Sequence, residues 1–151
     1  MTKARTQGAE APEAVREILR RAGHELRNAL NGVAVNVEVV RSRADREGSP
    51  PRELASFAER ASAQVGEASA LADGLLAFVG SVLASQAAGT LKTSGDGGAG
   101  SLIELTIYGD RAAGQVSDIE RLTSRVGVGV EQHGQRVILR VLPQGNKNSK
   151  D

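Results

Sequence analysis

The residues best equipped for chemistry form one octet, His24-Glu25-Leu26-Arg27-Asn28-Ala29-Leu30-Asn31. An imidazole with a carboxylate beside it and an amide one turn further on suits phosphoryl chemistry. Neutral imidazole attacks through one ring nitrogen and is a good enough leaving group to pass the phosphoryl on. Glu25 can hold the other ring N–H, fixing the tautomer and stabilising positive charge during transfer. The transition state is loose, so positioning and charge stabilisation do most of the catalysis. Arg20 and Arg27, about one turn either side, can neutralise phosphate oxygens, and Gly23 leaves room for close approach.

These residues need a rigid carrier, and the hydrophobic pattern supplies one. Val15, Leu19, Ala22, Leu26, Ala29 and Val33 follow steps of four and three, with Ile18 and Leu30 widening the stripe. That spacing predicts a helix from about Pro12 to about Arg46, preceded by a flexible lead-in over the first ten residues. His24 falls opposite the buried seam, and Arg20, Arg27, Asn28 and Asn31 share its outer surface. Gly23 and Gly32 weaken such a helix by about 1 kcal/mol each relative to alanine, so tertiary packing must hold it.

Gly48-Ser49-Pro50-Pro51 reads as a turn. Beyond it Leu54, Ala58, Ala61, Val65, Ala68, Ala72, Leu75, Val79 and Val82 keep the same alternation, which predicts a second long helix. Two such helices form an antiparallel hairpin over residues 11–86 that buries only one seam. A two-fold pair of hairpins would close a four-helix bundle, so a homodimer is expected.

Residues 87–100, rich in glycine, serine and threonine, read as a linker. In 101–143 the pattern predicts a small α+β unit of β-α-β-β order. Ile103, Leu105 and Ile107 alternate as a strand, Ser117 with Glu120 resembles a capping box, and two valine-rich strands flank a turn at His133-Gly134. So small a unit should pack on the hairpin. Residues 144–151 read as a disordered tail. The expected fold class is therefore mainly α, a helical hairpin with a small α+β unit.

Composition narrows the function classes. With 151 residues, 25% charged and a net charge of +1, no strong field favours nucleic acid or an anionic membrane. Aromatics at 2% cannot fill a wide core, whereas small aliphatics suit narrow helix seams. The absence of cysteine excludes disulfides and thiolate metal sites. No stretch reads as long enough to cross a bilayer, so a soluble, cytoplasmic chain is expected.

The octet resembles the H box of sensor histidine kinases, His-Glu-Leu-Arg-Asn-Pro-Leu, and the hairpin looks like their dimerisation and histidine-phosphotransfer domain. The resemblance implies that His24 is the phosphoacceptor and Glu25 the general base that polarises it. It gives Asn28 the position that orients an attacking water in dephosphorylation. Ala29 stands where the family usually has proline, so a built-in helix kink is not implied. Ile103 to Asp110 is similar to the strand leading to the nucleotide-contacting aspartate of the kinase ATPase domain, and Asp110-Arg111-Ala112-Ala113-Gly114 to an altered version of the following loop. The lid and the Mg²⁺-binding asparagine helix have no counterpart.

The combination resembles histidine phosphotransferases with a degenerate ATPase-like segment, which relay phosphoryl groups to and from receiver domains. It implies a two-component phosphorelay protein that acts through phosphohistidine and binds neither ATP nor another cofactor. Mg²⁺ would sit on the receiver, with Arg20, Arg27 and Asn31 as partner or phosphate contacts. The expected partners are a response-regulator receiver, a histidine kinase and a second copy of the chain, without nucleic acid or membrane. The alternative is a non-catalytic dimeric module that sequesters a receiver or kinase.

Overall fold

The computed structural model describes residues 7–46, 48, 50–96, 100–110 and 112–143. The architecture is mainly helical, with three helices and a small antiparallel sheet of four strands. Helices α1 (Gln7–Ala44) and α2 (Pro51–Ala87) form the hairpin. Strands β1 (Lys92–Asp96) and β2 (Gly100–Thr106), helix α3 (Ala112–Val126), and strands β3 (Val128–His133) and β4 (Arg136–Val141) form the C-terminal unit.

Several expectations shift. Helix α1 begins at Gln7, so residues 7–10 of the expected lead-in are helical and Pro12 lies in the second turn. Pro50 and Pro51 open α2 as expected, because proline gives up no hydrogen bond at the start of a helix. The segment read as a linker contains β1, which makes the C-terminal unit ββαββ. Lys92 pairs with Glu104 across the β1–β2 register and forms an ion pair with it at 3.9 Å. Cross-strand pairing decided this, and its partners are too polar to show a period-2 signal. Ser117 does not open a helix: α3 starts five residues earlier, where the Ala112 N–H donates to the Gly109 carbonyl. The expectations for residues 1–6, Ser49, 97–99, Arg111 and the 144–151 tail lie outside the described residues.

The sheet runs in the order β1-β2-β4-β3 with every neighbour antiparallel. One face, carrying Ile103, Leu105, Val137, Leu139 and Val141, is fully buried in a core shared with Ile18 and Ala22 of α1, Phe78 of α2 and Ile119 and Leu122 of α3. The hairpin and the C-terminal unit thus bury a single core. Ser85 closes its upper edge: its buried hydroxyl donates to the Thr106 carbonyl at 3.1 Å and accepts from the Thr106 N–H at 2.9 Å.

The α2 seam also differs from the sequence pattern. Ala61, Ala68 and Val82 are buried as expected, but Leu71, Gly74 and Phe78 lead the burial in the second half, under α3. Val65 and Val79, expected in the seam, are exposed, as are Leu76 and Leu83. On α1, Leu30 and Val37 are exposed too. Helix α2 is long and apolar enough to cross a bilayer by length and composition, contrary to the expectation that no stretch is. Its apolar residues divide between the shared core and this exposed stripe.

Gly74 sits nine residues from both Val65 and Leu83, about two and a half turns, so the α3-covered side and the exposed stripe are opposite walls of α2. A Cβ on Gly74 would come within 2.7 Å of Leu122 Cβ and 2.8 Å of the Asp118 carbonyl oxygen, whereas one on Gly23 meets nothing within 4 Å. Gly74→Ala should therefore lower stability by about 1–3 kcal/mol through overpacking against backbone. Gly23→Ala should raise it by about 0.5–1 kcal/mol through helix propensity. Urea denaturation of the two variants beside the parent checks both signs.

Candidate functional site

The octet lies within α1, where its phase is set by the residues on either side. Ala22 is fully buried and Ala29 is buried, both against the core side of the hairpin, and these two anchor the helix rotation. His24, Arg27, Asn28 and Asn31 are exposed on the outer wall, as the spacing predicts. Leu26 is half-buried against the core, while Leu30 points to solvent and does not widen the seam.

His24 is exposed, and among the described residues no hydrogen bond or ion pair engages its imidazole. Glu25 is half-buried and makes no bond to His24 here. Adjacent residues on a helix diverge by about 100°, so contact between these two needs a rotamer change or a partner. Arg20, expected to neutralise phosphate, is already committed: its Nε and Nη2 donate to the Glu17 carboxylate at 2.9 and 2.8 Å. Arg27 carries its guanidinium in the open beside His24.

Two residues that the sequence reading did not single out organise this region. Arg21 is only 6% exposed, in the middle of α1. It donates Nε to Glu17 at 2.7 Å, Nη1 to the Val126 carbonyl at 3.3 Å and Nη2 to the Leu142 carbonyl at 2.7 Å. Val126 ends α3 and Leu142 follows β4, so one guanidinium caps a helix C-terminus and holds the end of the sheet. Glu17 receives both Arg20 and Arg21. The paired bonds from Arg20, with a further bond from Arg21, hold its carboxyl down at about 2 against the opposing effect of burial. A Glu-to-Arg pair four residues apart was visible in the sequence, but nothing in it revealed the two distant carbonyls.

The outer wall continues beyond the octet as an open groove of about 600 Å³, lined by Ala34, Val35, Glu38, Val39, Ser42, Arg43 and Arg46. Val35 lies seven residues past Asn28, so His24, Asn28, Asn31, Val35 and Ser42 make one continuous strip. In the C-terminal unit, Asp110 is an exposed loop residue, and His133 ends β3 facing Glu131 at 3.7 Å. Among the described residues no group of three or more His, Cys, Asp or Glu side chains converges on a metal position.

No protein-family model matches the chain, and no curated protein matches it either.

The stability that Glu17 contributes as a carboxylate is fully present above its unfolded value near 4.5 and is lost as pH falls towards its folded value of about 2. Glu17→Gln should therefore show a shallower loss of stability over that interval than the parent, read by denaturant midpoints at stepped pH. Arg21→Met should cost more at neutral pH, about 2–4 kcal/mol, because it leaves two carbonyls without their donor and takes one bond from the Glu17 carboxylate. Chemical denaturation of that variant checks the size.

Proposed function

We propose that this chain is a histidine phosphotransfer protein, a relict of the histidine kinases, relaying phosphoryl groups between receiver-domain aspartates through His24. The observation that carries the reading is the phase of the octet: the imidazole stands in solvent while Ala22 and Ala29, on either side, are locked in the core. An exposed histidine alone is ordinary. One set within this octet, on the first helix of a hairpin with a small α+β unit packed beside it, is not.

In the proposed transfer, the lone pair of one imidazole nitrogen forms an N–P bond as the acyl-phosphate O–P bond on a receiver breaks. The receiver regains its carboxylate, and the ring N–H proton passes to Glu25 or to water. The receiver supplies the Mg²⁺ that its own aspartate needs. Arg27 draws in the phosphate oxygens, and Asn28 is placed to orient water when the receiver is dephosphorylated. Asn31, Val35 and the groove beyond give the receiver a surface to lie on. The chain would act in the cytoplasm, where receivers are found.

The dimer belongs to the same proposal. Leu30 lies nine residues from Arg21, and Val65 and Leu83 lie nine from Gly74, so the exposed stripes of both helices turn away from the C-terminal unit. Together the two stripes supply the apolar surface that a second copy would cover. His24 stays outside that face.

Two measurements test this. Incubation with phosphorylated cognate receivers should produce an acid-labile label that is lost in His24→Ala; no label from any cognate receiver overturns phosphotransfer. Leu76 is 74% exposed on the proposed dimer face. Leu76→Glu should therefore halve the mass measured by light scattering without unfolding the protein, and a parent that already runs as a monomer refutes the bundle.

A further inference from the structure

The Glu17 carboxylate joins two arginines with different duties. Arg20 is surface-exposed and four residues before His24, within reach of anything bonded to that imidazole. Arg21 is buried and holds the C-terminal unit through Val126 and Leu142. Glu17 Oε1 accepts from both, and Oε2 accepts from Arg20 alone.

We propose that Glu17 is a positioning residue that transmits the charge state of His24 to the C-terminal unit, an inference that rests on His24 being the phosphoacceptor. A phosphoryl group brings nearly two negative charges and three strong acceptor oxygens to a point one turn from Arg20. Arg20 then turns from Glu17 to the phosphoryl oxygens, where its planar fork finds a better match. Glu17 Oε2 loses its donor. The nearest replacement is Arg21, whose Nε already binds Oε1, and a carboxylate takes an arginine side-on through Nε and Nη2 together. That Nη2 is the atom holding the Leu142 carbonyl. Phosphorylation therefore weakens the tie between α1 and the end of β4, and the C-terminal unit loosens beside the loaded histidine. Nothing crosses the core in this exchange; three side chains on two turns of one helix change partners.

The test reads amide hydrogen exchange by mass spectrometry in the full chain, with and without label. Phosphoramidate supplies the phosphoryl group without a receiver: the imidazole nitrogen bonds to phosphorus, the P–N bond breaks, ammonia leaves and the ring proton goes to water. Exchange around Leu142 and at the end of α3 should accelerate several-fold on labelling. His24→Glu, which puts a carboxylate four residues from Arg20, should reproduce the acceleration without label. Arg20→Gln, a change at an exposed position, should already exchange fast and respond no further. Labelled protein that exchanges like unlabelled protein, or an Arg20→Gln variant that still responds, overturns the switch while leaving phosphotransfer standing. Failure of His24 to take label from either phosphoramidate or a receiver overturns both.

Discussion

A buried guanidinium must keep a counter-charge and find acceptors for its donors, and the way Arg21 meets that demand governs the region around His24. Removing such a cation from water costs several kcal/mol unless its bonds are replaced. Glu17 supplies the charge, and the carbonyls of Val126 and Leu142 supply the remaining acceptors. Those carbonyls lie far along the chain, so the bonds can form only if the C-terminal unit is seated on α1. The same bonds satisfy a helix C-terminus that would otherwise leave carbonyls unpaired near the core.

The hairpin thus has two differently finished sides. Towards the C-terminal unit, Gly74 lets α3 approach until only a hydrogen fits, and Phe78 fills the space between α2 and the sheet. Away from it, Leu30, Val37, Val65, Leu76 and Leu83 remain in water. An apolar stripe that long on two adjacent helices is uncommon on a monomer's surface. His24 belongs to neither side. It stands on the outer wall between them, which leaves it open to a partner whether or not a second hairpin is present.

Much of this was legible along the chain. The steps of four and three located both helices, and the phase of Ala22 and Ala29 put His24 outside, because helical periodicity is a local property that needs no knowledge of the partner. The last hairpin, with Val137, Leu139 and Val141 facing inward, followed from strict alternation. The pattern failed where neighbours decided the outcome. Val65 and Val79 look like seam residues by spacing, yet α3 lands on the other wall and draws Leu71, Gly74 and Phe78 into the core instead. Strand β1 is polar throughout and exists because β2 offers it an edge.

The sequence by itself determined the two helices, the rotation of α1 about its own axis and the solvent-facing position of His24, since each follows from residues within a few turns of one another. Only the tertiary structure decided which wall of α2 is buried, that a fourth strand joins the sheet, and that Arg21 serves as a clasp and not as surface charge. Those outcomes depend on contacts between residues up to 121 positions apart, and no local period encodes such contacts.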